Sequence, residues 1–157
     1  GGRNRMETVR PGRSFTLVIG DSGIPSPTAK VVGDVRKAWQ ADPQHYERIF
    51  LQIGELVRLA RQLIETGDLR ALGSLMVQNH ALLVELGVSI EVLDRLVEAA
   101  VQSGAWGAKL SGGGRGGNMI ALVAQEEAAT LAEALLDAGA TRTIITQIEA
   151  GGSTEDS

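Results

Sequence analysis

Between Lys109 and Met119 the chain reads KLSGGGRGGNM, which puts five glycines into the six positions from Gly112 to Gly117. Glycine loses more backbone freedom on folding than any other residue, so such a run needs a use: left-handed torsions, or close approach of the main chain to another group. Successive backbone N–H groups in those conformations can converge on one concavity and favour an anion. Arg115 interrupts the glycines and is placed to carry a guanidinium to a phosphate; Lys109, two residues before Ser111, is a second candidate cation, although a lysine at a strand end is ordinarily just solvated. The run is not a Walker loop, which needs Gly-Lys-Ser/Thr opening a helix, nor a dinucleotide fingerprint between strand and helix. The segment after it, NMIALVA, is strand-like. On spacing alone, contact with a phosphate or substrate and a plain flexible joint between two strands stand level.

A second cluster, DSGIPSPT, runs from Asp21 to Thr28. Residues of these types form turns and caps by default. The sharper reading is that Ser26 and Thr28 present hydroxyls to the same cleft as the glycine loop. Asp21 is the carboxylate of this loop, and one carboxylate without a base or partner makes a weak case for acid–base catalysis. Asn79 interrupts an otherwise apolar helical stripe. A buried amide must find partners or cost about 1–3 kcal/mol, so Asn79 is expected to tie its helix to a neighbouring backbone, with ligand contact the lesser reading. His80 beside it reads as a packed histidine. With no cysteine and only two histidines, disulfides and thiolate centres are excluded and no dedicated metal site is expected.

These residues must be positioned by the elements around them. Ser14 to Gly20 is an apolar run that reads as a buried strand, and a helix is predicted over Thr28–Trp39, after Pro25 and Pro27. Asp42 and Pro43 then open a long amphipathic helix with Tyr46, Ile49, Phe50, Ile53, Leu56, Val57, Ala60, Leu63 and Ile64 on one face, closed by Gly67. Asp68 is set to cap the next helix, which stops at Gly87, and Ser89 a further one with Leu93, Leu96, Val97 and Ala100 inward. AWGAKLS and NMIALVA are predicted strands flanking the glycine loop; Glu126–Ala138 reads as a helix and TRTIITQI as a final strand. The order strand, helices, two strands, helix, strand describes an α+β domain, a small antiparallel sheet with helices packed on one face.

At 157 residues with 43% apolar content the chain is sized for one domain with a real core. A net charge of −4 argues against nucleic-acid and membrane-surface partners, which call for clustered cations. Arg3, Arg5, Arg10 and Arg13 near the start read as a solvated segment or edge strand rather than a binding arm. No apolar run approaches the roughly 20 residues that span a bilayer, and a cytoplasmic location is expected.

KLSGGGRGGNMIALV resembles the third, carboxy-terminal motif of the GHMP kinases, which phosphorylate small alcohols such as galactose, homoserine, mevalonate and phosphomevalonate. DSGIPSPTAKVVGDVR resembles the strand and loop that open their carboxy-terminal domain. LMVQNHALLVELGVSIEVLDRLVEAAVQSGAWGAKLSGGG is similar to the mevalonate kinase branch in its Asn79, His80, Leu82, Leu83 pattern, followed by Leu86, Gly87, Val88 and Ser89. Arg115 and Asn118 depart from the commonest glycine and cysteine at those positions, which leaves room for a sister specificity such as phosphomevalonate kinase.

The resemblance implies a ferredoxin-like carboxy-terminal domain over residues 14–150, preceded by the end of an amino-terminal half at 1–13 and followed by a disordered tail at 151–157. It implies transfer of the ATP γ-phosphate to the 5-hydroxyl of mevalonate with Mg2+, in a cleft between two domains. Ser26, Thr28, Lys109, Ser111, Gly112, Gly113, Gly114, Arg115, Gly116 and Gly117 are then the residues near substrate and phosphates. The family's phosphate loop, its amino-terminal lysine and its catalytic aspartate lie upstream of the matched region, so no catalytic residue is expected in this chain. ATP and Mg2+ belong to the complete enzyme, and neither is expected to bind this chain tightly. Its partners would be the missing amino-terminal domain, mevalonate and ATP, with homodimer formation through the surface left uncovered. The alternative is a freestanding ferredoxin-like module for a small anionic ligand.

Overall fold

The computed structural model describes residues 9–151. The outer parts of the 1–13 and 151–157 segments, with Arg3 and Arg5, lie outside the described residues. In chain order the elements are β1 (Phe15–Asp21), α1 (Thr28–Ala41), α2 (Pro43–Thr66), α3 (Leu69–Leu86), α4 (Glu91–Gln102), β2 (Gly107–Ser111), β3 (Asn118–Val123), α5 (Ala128–Asp137) and β4 (Arg142–Ile148). A single 3-10 turn, Gln125–Glu127, leads into α5. The strands form one antiparallel sheet in the order β2-β3-β1-β4, the ferredoxin-like arrangement.

Pairing register assigns the two faces. Val18 stands opposite Ala121, which stands opposite Ala108, and this face carries Thr16, Met119, Val123 and Leu110 as well. It is buried under α4 and α5, whose Leu93, Leu96, Leu131 and Leu135 are fully enclosed. Removing each such leucine from water stabilises the fold by about 1.5–3 kcal/mol. The other face presents Phe15, Leu17, Ile120 and Leu122 to Leu69, Leu72 and Met76 of α3 and to Ala60, Leu63 and Ile64 of α2. Two helices therefore occupy one face as expected, and the α2–α3 hairpin adds a layer on the other that the expectation of helices on one face did not include.

Helix ends follow the local signals. Gly67 and Gly87 adopt left-handed conformations behind α2 and α3, and the Asp68 carboxylate accepts the Ala71 N–H. Asp42 holds the cap position of α2 without a side-chain bond. The expected cap at Ser89 is corrected: Ile90, in extended conformation, precedes α4, and the Ser89 hydroxyl donates instead to Asp94 Oδ1 at 2.6 Å.

α3 lies almost in contact with the backbone of β2. A Cβ on Gly73 would meet the carbonyl of Trp106, and one on Gly107 would meet that of Gly73. Seven residues further along α3, His80 reaches Leu110, three residues further along β2. The helical advance of about 10 Å matches the strand advance of about 10 Å. Helix and strand thus keep step, which brings Asn79 and His80 beside Lys109 and Leu110.

Candidate functional site

The β2–β3 ladder ends at the Ser111–Asn118 pair, leaving residues 112–117 as the connecting loop. The loop is built against the turn after β1. The Ser26 hydroxyl donates to the Gly114 carbonyl at 2.6 Å and lies 3.3 Å from the Thr28 hydroxyl. A Cβ on Gly113 would stand 2.7 Å from Ser26 Oγ and closer still to Thr28 Oγ1, so this position has no space for a side chain. At Gly114 both constraints act, a φ of +87° and the Val88 carbonyl next to any Cβ. The N–H groups of Gly112, Gly113, Gly114 and Gly116 find no protein acceptor among the described residues. Those of Arg115 and Gly117 bond to the Val88 and Ile24 carbonyls.

Arg115 is not the mobile cation its loop position suggested. Its Nη1 donates to Asp34 Oδ2 of α1 at 2.6 Å and its Nε to the Gly87 carbonyl at 2.9 Å, and the residue takes a φ of +54°. The hydrogen bond from Arg115, followed by that from Lys30, holds the Asp34 carboxyl below its ordinary value. Arg115 therefore rivets the loop to α1 and to the end of α3. Gly116 and Gly117 lie on the same anchored side, against the Ile24 and Pro25 backbone. Asp21 serves structure too: it accepts from the Gly23 N–H and from Arg142 Nε.

A groove of about 450 Å³ opens beside the loop, with Val31, Val35, Leu83 and Leu86 among its walls and Asn79, Lys109, Gly112 and Gly113 as its polar fittings. A second groove of about 350 Å³, toward Leu56, Ala60 and Met76, shares Asn79 and Lys109 with it. Lys109 Nζ donates to the Leu110 carbonyl at 2.9 Å, and burial pushes the amine's pKa below its ordinary value. Ser111 is half-buried at the strand end, on the same sheet face as Lys109 by alternation. Asn79 corrects the reading that tied it to a neighbouring backbone: its half-buried amide makes no hydrogen bond to a described residue and faces both grooves.

That tether is supplied by the next residue. The Leu110 N–H donates to His80 Nδ1 at 3.1 Å, so the ring proton of the neutral form sits on Nε2, which bonds Asp94 Oδ1 at 2.9 Å. His80, buried, links α3, β2 and α4 at once. Asp34 and Asp94 are the two participants that sequence reasoning missed; each lies on an exposed-looking helix turn, and nothing in the spacing marked its distant partner.

Of the residues singled out in the sequence, Lys109, Gly112 and Gly113 line the groove that opens beside the loop, Ser26, Thr28 and Gly114 pack together on the loop itself, and Arg115, Gly116 and Gly117 hold the loop in place. No group of three potential metal ligands occurs among the described residues. No helix among them is long and apolar enough to cross a membrane.

The sequence matches the family model described as GHMP kinases C terminal over residues 59–141. It is 38% identical over 147 residues to a mevalonate kinase of Thermococcus gammatolerans, covering 90% of this chain and 43% of that protein. With a mevalonate kinase of Pyrococcus horikoshii it shares 42% identity over 127 residues, or 76% of this chain and 38% of that protein. The fold superimposes on the crystal structure of L. major mevalonate kinase in complex with R-mevalonate with a TM-score of 0.88 and 32% identity, covering 92% of this chain and 45% of that one. The chain therefore spans less than half the length of these relatives. The match to the family model over more than half of the chain, together with the shared ferredoxin-like fold, makes the chain a member of the GHMP kinase family, carrying that family's carboxy-terminal domain.

Proposed function

We propose that the chain supplies one wall of the active-site cleft of a mevalonate kinase, the enzyme that moves the ATP γ-phosphate to the 5-hydroxyl of mevalonate. The observation that carries this reading is the packing of Ser26 and Thr28 onto Gly113 and Gly114 at the rim of an apolar groove. Phosphoryl transfer depends on alignment and on stabilisation of phosphate charge rather than on covalent help from the protein. Here the main-chain N–H groups of the loop offer fixed dipoles to the phosphates. The Thr28 hydroxyl orients substrate, and the valine and leucine walls exclude water. Magnesium, when bound, would offset phosphate charge; its donors would come from the other domain, since no suitable cluster exists among the described residues.

An amino-terminal partner domain is supported by the relatives' length and by the surface of the hairpin. Val32, Phe50, Leu51, Val57 and Leu59 stand exposed on α1 and α2, apolar surface that a partner domain would cover. In isolation this surface would drive self-association.

The test is ADP release with mevalonate and ATP, using the chain alone and the chain mixed with an amino-terminal half taken from the Thermococcus relative. Turnover only in the mixture is expected. Turnover by the chain alone would refute the assignment of catalysis to the other half. A preference for phosphomevalonate would move the chain to a sister specificity.

A further inference from the structure

We infer that His80 is a positioning residue for the glycine loop: acting through Leu110, it fixes where the Gly112–Gly114 N–H groups stand. β2 is an edge strand, so its outward N–H groups have no neighbouring strand to bond. At Leu110, buried at the root of the loop, a side chain takes the place of that strand, and the N–H donates to His80 Nδ1 at 3.1 Å. Nδ1 can accept only while it carries no proton. Asp94 favours that state, because its Oδ1 takes the Nε2 proton at 2.9 Å, and the same oxygen accepts the Ser89 hydroxyl at 2.6 Å.

Ser89 leads back to the loop. Its neighbour Val88 accepts the Arg115 N–H at 2.8 Å, on the far side of the glycines. Hydrogen bonds and chain therefore close a ring that runs from Leu110 through His80, Asp94, Ser89 and Val88 to Arg115 and returns through the glycines. Within it lies the stretch 111–114, whose Gly112, Gly113 and Gly114 N–H groups find no protein acceptor among the described residues. Both ends of that stretch are tied to one post, the connection between α3 and α4, by bonds of 2.6–3.1 Å. Among these ties His80 is the one that sets β2. Without its acceptor the Leu110 N–H, sealed from water, must move until it finds another partner, and the arc of N–H groups tilts about Arg115. A shift of about 1 Å in groups that align a reacting phosphate can lower turnover about 100-fold. That consequence rests on the kinase reading; the placement of the loop by His80 does not.

His45 and His80 are the chain's histidines, so both rings are readily assigned in a sample labelled with nitrogen-15. On the unchanged chain a scalar coupling between the Leu110 amide nitrogen and His80 Nδ1 is expected, and its absence overturns the inference. Two substitutions then separate the ring's two bonds. His80→Asn places an amide oxygen near the position of Nδ1 and can keep the bond from Leu110, whereas His80→Gln places its amide near the position of Nε2 and keeps only Asp94. Both remove the ring, so the difference between them reads the acceptor alone. His80→Gln is expected to displace the amide resonances of Gly112–Gly114, and His80→Asn to leave them closer to the parent's. Equal displacement in both, or none in His80→Gln, overturns the inference. Ser89→Ala, which deletes one hydroxyl, should move the same resonances by less; should His80→Gln not fold, loop amides unmoved in Ser89→Ala overturn it instead. In the mixture with the Thermococcus amino-terminal half, His80→Gln is expected to lower kcat about tenfold or more while the KM for mevalonate stays within about threefold, and His80→Asn to retain most of the parent's kcat. No turnover by the parent mixture would remove the kinase reading and leave the loop result standing. Equal kcat in the parent, His80→Gln and His80→Asn would keep the kinase reading and remove His80 from it.

Discussion

Among the described residues three glycines lie inside helices, Gly33 in α1, Gly54 in α2 and Gly73 in α3, and alanine at the third would act opposite to alanine at the first two. Replacing a helix-interior glycine by alanine is favourable by about 1 kcal/mol when nothing else changes. At Gly33 the new methyl would meet nothing within 4 Å, and at Gly54 only Arg58 Nη1 at 3.9 Å, the end of a flexible side chain. Gly33→Ala and Gly54→Ala should each stabilise the domain by nearly that amount. At Gly73 the methyl would stand 2.7 Å from Trp106 Cβ and closer to the Trp106 carbonyl, which is backbone and cannot rotate aside. Overpacking costs about 1–3 kcal/mol, and an obstacle of this kind belongs at the upper end. Subtracting the propensity gain leaves Gly73→Ala less stable than the parent by about 2 kcal/mol, and separated from Gly33→Ala by about 3 kcal/mol. Urea unfolding followed by tryptophan fluorescence reads this directly, since Trp106 sits at the contact. Equal midpoints for Gly73→Ala and Gly33→Ala would refute the claim that α3 rides on the β2 backbone, and with it the placement of Asn79 beside Lys109.

Two further outcomes follow from charge and torsion. Because folding lowers the pKa of Lys109 from its ordinary 10.5, the unfolded chain holds the extra proton between the lowered value and that one, and stability rises with pH across the window. Lys109→Met should flatten that rise in urea midpoints measured at alkaline pH; an unchanged slope would deny the burial effect. Arg115 holds a positive φ, a torsion that costs a residue with a Cβ about 1–2 kcal/mol. Arg115→Gly and Arg115→Ala both lose the bonds to Asp34 and Gly87, but the glycine variant escapes the strain and should be the more stable by about 1 kcal/mol; equal stability would locate the strain elsewhere.

The elements were legible where a single segment carries its own signal. The stripe of Leu93, Leu96, Val97 and Ala100, the stop residues Gly67 and Gly87, and the strands either side of the glycine run all lie where local patterning put them. What stayed hidden was decided between segments. Whether Asn79 or His80 reaches the strand depends on the phase of α3 over β2, which two glycines 34 residues apart control through shape. The fate of Arg115 depended on Asp34, 81 residues away, and that of Ser89 on Asp94, which recruited the hydroxyl away from the helix end. The chemical types at the site were readable from the sequence; their partners required the packed structure.

The place of β1 at the centre of the sheet governs how this domain comes into being. It is made first, yet both its neighbours, β3 and β4, arrive last, and a bond such as that from Thr16 to Gln147 joins residues 131 positions apart. Closing so large a loop before any pairing is rewarded makes for slow folding. During synthesis β1 must wait with both edges bare while four helices emerge, and any chain cut short before β4 leaves one of those edges permanently open to other strands.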